Sequence, residues 1–152
     1  MTKANQLRVG NWVMVNNEKY HPNIKGVMLE ITSITETFDL FDKETTHSIS
    51  LQHVNKKQNT YYEKYSQLIR FIDPIPLTPE ILEKCKQFGR TVINGEDCFF
   101  NGDDVIVRAK DMYLFLHNEV DGSVWGIRRI EHVHEFQNLI MDLTKEELIT
   151  NS

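Results

Sequence analysis

Two histidines, His132 and His134, are followed within one helical turn by the amide pair Gln137 and Asn138. An imidazole near neutral pH can move a proton or hold a metal, and a carboxamide can orient whatever it holds. The segment carrying them, Ile130 to Leu139 and on to Leu148, has the spacing of an amphipathic helix. On a wheel of about 100° per residue, Ile130, Val133, Phe136, Ile140 and Leu143 form its apolar stripe. Gln137 falls inside that stripe, with His132 and His134 on its shoulders. His134 and Asn138 are neighbours one turn apart. The functional reading is a polar pocket of His134, Gln137 and Asn138. The structural reading, favoured here, is a set of buried groups that satisfy loop or sheet-edge backbone. On a helix His132 and His134 diverge by about 200° and cannot share one ion. Cys85 and Cys98 form no Cys-x-x-Cys pair, so no metal is expected.

The other reactive side chains carry weaker patterns. Cys85 falls on the apolar face of a short helical segment, the setting of a buried, inert thiol. Asp103-Asp104 and Glu96-Asp97 sit beside Gly102 and Gly95 and read as solvated turn residues. No nucleophile elbow, phosphate loop or dinucleotide fingerprint is present. The expectation is therefore a protein that is not an enzyme and needs no cofactor. Aromatic residues interleaved with cations are a different matter, because they can hold a peptide or a single strand. Tyr61, Tyr62 and Tyr65, with Lys56 and Lys57, lie in a polar stretch where a core role explains them poorly. They are the preferred contact surface. Trp12 opens an apolar strand and reads as core.

A chain of 152 residues with 40% hydrophobic and 26% charged side chains folds as one domain or two small ones. Its net charge of -5 lacks the basic surplus typical of nucleic-acid binders. No apolar run approaches the roughly 20 residues of a bilayer span, and the first residues carry no signal-peptide pattern. Two cysteines do not make a disulfide scaffold, and a cytoplasmic location with reduced thiols is expected.

The elements that would position these residues form an α+β protein with an internal boundary at residues 74/75. Residues 1–74 read as a small SH3-like β-barrel. Its strands begin at Trp12–Val15 and continue in a long run from Val27 to Phe41. In that run the apolar phase switches between Val27/Leu29/Ile31 and Ile34/Phe38/Leu40, which calls for a bulge near Thr32-Ser33. Ser48–Leu51 follows, and Leu68–Ile72 closes the set. Residues 75–152 read as a helix capped by Thr78 with Pro79 in its first turn and ended by Gly89, then an antiparallel β-meander, then the terminal helix. The meander strands are Arg90–Ile93, Cys98–Phe100, Val105–Arg108, Met112–His117 and Val124–Arg129, joined by turns such as Asn94-Gly95 and Asp121-Gly122.

Two motifs carry a resemblance. One is Pro76-Leu77-Thr78-Pro79-Glu80; the other is His134-x-x-Gln137-Asn138-Leu139 followed by Leu143-Thr144-x-Glu146-Glu147-Leu148. With the opening Leu7-Arg8-Val9-Gly10-Asn11-Trp12-Val13, they resemble a family of uncharacterised small proteins common in Bacteroidetes genomes and their prophages. Glu135, Phe136 and Lys145 depart from that family's pattern, and the middle of the chain is only loosely similar. The resemblance implies a mobile-element origin and no reaction. The expectation is a non-enzymatic adaptor that binds a protein partner, with a nucleic-acid-binding accessory protein as the alternative. For the alternative, changing Lys56 and Lys57 abolishes a steeply salt-dependent binding.

Overall fold

The computed structural model describes residues 4–16, 26–41, 43–54, 65–102, 104–118 and 120–149. The chain divides into two units, Met1–Ile75 and Pro76–Ser152, taken in turn below.

In the first unit, Trp12–Val15 (β1) is a run of bulky and β-branched residues, and Trp12, Val13 and Val15 are buried. Leu29–Asp39 (β2) and Glu44–His53 (β3) form a long antiparallel hairpin. Tyr65–Leu68 (β4) pairs with β3, and Ile72–Pro74 (β5) returns to β1. The sheet order is β4-β3-β2-β1-β5. Thr32 is the extra residue of a bulge, since Ile31 opposes Leu51 while Ser33 opposes Ser50. The bulge places Ile34, opposite Ile49, on the same face as Leu29 and Ile31. Ile34 therefore joins the first phase over one core, built on Val13, Leu29, Ile31, Ile49, Leu51 and Ile72, while Phe38 and Leu40 of the second phase stay exposed.

One expectation changes here. Leu68 and Ile72 do not share a strand: Leu68 ends β4 opposite Ser48, and Ile72 sits in β5 opposite Val15. Their partners differ, so the chain turns between them through a 3-10 turn at Ile69–Phe71. Among the described residues no pairing of β4 with β5 closes the sheet into a barrel.

In the second unit, Thr78 is extended before Pro79–Lys84 (α1), as an N-cap preceding a first-turn proline should be. The helix stops well before Gly89. Cys85 is already extended, and Gly89 instead opens the strand Gly89–Ile93 (β6). The reason for glycine there is steric: a Cβ would stand 2.7 Å from the ring of Phe100. Glu96–Asn101 (β7), Val105–Arg108 (β8), Tyr113–His117 (β9) and Val124–Arg129 (β10) complete an antiparallel meander in sequence order. Asn94 and Gly95 both have positive φ, the backbone that a two-residue hairpin requires.

The terminal helix is Val133–Thr144 (α2), shorter than the periodicity predicts. Ile130 is buried in extended chain before it, donating its N–H to the Met112 carbonyl at 3.0 Å. Val133, Phe136 and Ile140 are buried as expected, whereas Leu143 is exposed. Lys145 ends the helix in the left-handed conformation. The tail beyond it is tied to the exit of α1, where the Lys86 N–H donates to the Ile149 carbonyl at 2.7 Å. The last turn of α2 and the strand residues Val105 and Leu116 line a common cavity, so α2 lies over the face of the sheet that carries them. The chain is α+β, with two antiparallel five-stranded sheets and two α-helices among the described residues. No described helix is long and apolar enough to cross a membrane.

Burial ranks the first unit's side chains directly. Leu51→Ala, at a fully buried position, is expected to lower stability by about 2–5 kcal/mol, and Leu40→Ala, on an exposed turn, by no more than about 0.5 kcal/mol. Urea denaturation of the two variants checks this ordering; equal losses would contradict the assigned core.

Candidate functional site

The histidine pair is arranged differently from a continuous helix. His132 is not helical: its backbone is extended (φ -130°, ψ 152°) at the N-cap of α2. The 200° divergence therefore does not apply, and the rings of His132 and His134 stack at 5.7 Å with an 18° tilt. Glu135 organises this entry. Its Oε2 accepts from the backbone N–H groups of His132 (3.2 Å) and Glu131 (3.3 Å), the carboxylate half of a capping box. Its other oxygen lies 3.8 Å from the Arg128 guanidinium. Glu135 thus performs a defined structural job.

His134 is only 3% exposed, and its Nδ1 has no hydrogen-bond partner among the described residues. Burial holds its pKa below the ordinary imidazole value; nearby Glu135 works against this, and His132 adds to it. Gln137 and Asn138 are half-buried on α2 beside it, and each is engaged in an interaction. The three residues do share one stretch of helix surface, but the cavities described below are lined by other residues. Of the loop surface expected to bind, Lys56, Lys57, Tyr61 and Tyr62 lie outside the described residues. Tyr65 begins β4, its backbone opposite Leu51.

The thiols follow expectation. Cys85 is buried, its Sγ 3.4 Å from the Ile81 carbonyl, and burial pushes its pKa to about 11. A thiol so placed is protonated at neutral pH and a poor nucleophile. Glu96 is not a loose turn residue, because Lys110 and Arg108 both pair with it. The Lys110 hydrogen bond is the main reason its carboxyl titrates below the usual range. A cavity of about 560 Å³ borders these charges, but Arg90, Glu83, Asp97 and Glu96 around it are engaged in exposed ion pairs, each worth little. Among the described residues no three His, Cys, Asp or Glu side chains could hold a metal ion together.

The surface that stands out is the outer face of the second sheet, opposite α2. Strand register puts Gly89, Phe100, Ile106, Phe115 and Gly126 in one row across all five strands. Beside it runs a second row, Thr91, Cys98, Arg108, Tyr113 and Arg129. Each edge glycine lies beneath a neighbouring aromatic ring: Phe100 over Gly89, and Tyr113 and Phe115 over Gly126. Tyr113 and Phe115 pack at 4.9 Å, and the Arg108 guanidinium stands 5.3 Å from the Phe115 ring centre. Asp111 grips that guanidinium with two hydrogen bonds, at 3.0 and 2.6 Å. Two depressions, of about 270 and 440 Å³, flank Ile106 and share Ile93 and Val124 as walls.

Sequence reasoning placed these strands and missed this surface. The signal was available in Tyr113-Leu114-Phe115-Leu116. A strand with one wet face should alternate polar and apolar residues, and this one is apolar on both. The chain matches no protein-family model, no curated protein and no solved structure.

One pH dependence follows from His134. The folded chain binds its proton less readily than the unfolded chain, so stability is full above the ordinary value of 6.5 and declines as the pH falls below it. Thermal melts from pH 8 to pH 5 are expected to show this decline in the wild type and a shallower one in His134→Phe, whatever the offset between the two curves. Parallel curves would mean that His134 is not the buried titrating group.

Proposed function

We propose that this protein is a non-enzymatic, cytoplasmic binding module of mobile-element origin, and that the outer face of its second sheet engages a protein partner. One observation carries the reading: β9 is apolar on both faces, and its outer side chains Tyr113 and Phe115 join Phe100, Ile106 and Val124 on a face that α2 does not cover. Large exposed apolar surfaces mark interaction sites, and aromatic residues with arginine dominate their energetics. The groups able to do chemistry are otherwise committed: Glu135 to the start of α2, the Cys85 thiol to a protonated, buried state, Arg108 to Asp111 and Glu96.

The N-terminal unit supports an SH3-like reading in three respects. β5 returns to β1 after a meander, a 3-10 turn separates β4 from β5, and the Thr32 bulge lets one long strand turn a corner, as orthogonally packed small barrels require. The aromatic residues Tyr61, Tyr62 and Tyr65, with Lys56 and Lys57, and the half-buried amides Gln137 and Asn138 are the accessory contact candidates.

The alternative, binding to a single-stranded nucleic acid, draws on the same face, because bases stack on sheet aromatics. It is disfavoured by electrostatics. Arg108, the cation among the rings, is paired with Asp111 and Glu96 and so is poorly placed to neutralise phosphate, and the chain carries a charge of -5.

Affinity purification of the tagged protein from its native cells, with Phe100→Lys and Ile106→Lys beside the wild type, tests the reading. A stoichiometric protein partner that both folded variants lose by about tenfold or more is the expected result. A partner retained by both variants would move the binding surface elsewhere, and co-purifying nucleic acid released by salt would favour the alternative.

A further inference from the structure

The strand β10 is an edge of the second sheet, and all six of its residues are exposed. Natural edge strands are usually kept short, charged or covered, because their unpaired N–H and C=O groups recruit another strand. This one presents Val124, Trp125 and Ile127, with Trp125 65% exposed. The Trp125 indole is not loose: its Nε1 donates to the Ser123 hydroxyl at 2.9 Å, and that hydroxyl bonds to Asp121. An exposed aromatic ring held in place at a sheet edge suits contact with something beyond the edge.

The bulge in β10 determines what can fit there. Trp125 opposes Leu116 and Arg128 opposes Leu114, with Ile127 the extra residue between Gly126 and Arg128. Leu114 and Leu116 point to the same face, so Trp125 and Arg128 do as well. Val124, opposite His117, and Arg129, opposite Tyr113, share the other face. In an unbulged strand, residues three apart would point to opposite faces.

We infer that β10 is a self-pairing edge, joining antiparallel to β10 of a second copy about a twofold axis at Gly126, with Ile127 the extra residue of each strand. Trp125 then stands opposite Arg128 of the second copy, and Val124 opposite Arg129 of the second copy. Opposed residues must project from the same face, and the bulge is what lets both pairs meet that condition. Centring the axis on Trp125 instead would oppose Trp125 to itself and Val124 to Gly126, leaving both arginines without an aromatic or apolar partner; centring it on Arg128 would oppose arginine to arginine. The chosen register sets a guanidinium beside an indole twice by symmetry and never sets arginine against arginine. Arg128 is 53% exposed and only distantly paired with Glu135, so it is available for this contact. Two such short strands bury less than the roughly 800 Å² per partner of a standard interface, so the dimer is concentration-dependent.

This inference does not rest on the protein-partner reading, since Trp125 and Arg128 lie on the face opposite Phe100 and Phe115. Sedimentation velocity on the full chain from about 10 µM to about 1 mM tests it, a span that resolves weak association. The wild type is expected to move from monomer to dimer. Trp125→Lys sets lysine against arginine and is expected to weaken the dimer by about tenfold or more, whereas Trp125→Glu sets carboxylate against guanidinium and keeps or tightens it. Both changes are at an exposed position, and circular dichroism confirms the fold. A wild type that stays monomeric throughout overturns the inference, as does a dimer that survives Trp125→Lys or is lost equally in both variants. Loss of dimer with retention of the partner in Trp125→Lys would separate this edge from the aromatic face.

Discussion

Side chains along an extended strand alternate between two faces, and a strand can change which residues serve a face only by taking in an extra residue. Each sheet of this protein depends on one such insertion. In the first, Thr32 resets the phase so that Ile34 joins Leu29 and Ile31 over the same core. Without it, the later half of β2 would offer Ser33 and Thr35 to that core and expose Ile34. In the second, Ile127 resets β10 so that Trp125 and Arg128 share a face. The first insertion is solved inward, by burial. The second acts at an edge, where nothing within the strand's own sheet lies beyond it.

The second sheet has two unlike faces. Phe99, Val105, Val107 and Leu114 are buried on the face over which α2 lies, together with Val133, Phe136 and Ile140 of the helix. That burial stabilises the unit by roughly 25 cal/mol for each Å² of apolar surface removed from water. The outer face carries aromatic residues that α2 does not cover. Its edge glycines are covered by rings from adjacent strands, a device that holds those rings in place at the sheet edge. A surface ordered in advance loses little entropy on binding.

Much of this fold was legible in the sequence, since period-two alternation and turn chemistry are local. The five meander strands, the Asn94-Gly95 hairpin, the Thr78-Pro79 helix start and the bulge near Thr32 all follow from neighbouring residues. The misses have non-local causes. Gly89 resembles a helix stop until Phe100, eleven residues on, claims the space above it. Leu68–Ile72 resembles one strand until its ends find different partners. Ile130 has helical spacing, but its N–H is taken by the carbonyl of Met112, and the helix begins only at Val133. The outer aromatic face was hidden for the same reason: which side of a strand is covered depends on where α2 lies.

The start of α2 shows how a group that invites a catalytic reading is absorbed by structure. Two histidines within three residues suggest chemistry, but the backbone of His132 is extended, so its ring lies against that of His134 instead of across the helix from it. Burial disfavours the charged form of His134, and a neutral imidazole tolerates an unbonded Nδ1 far better than a cation would. Glu135 is spent on the N–H groups that open the helix. A general base needs access to its substrate as well as basicity, and His134 at 3% exposure lacks the first. What this entry supplies is a fixed starting point for α2, the helix that covers one face of the second sheet and leaves the other open.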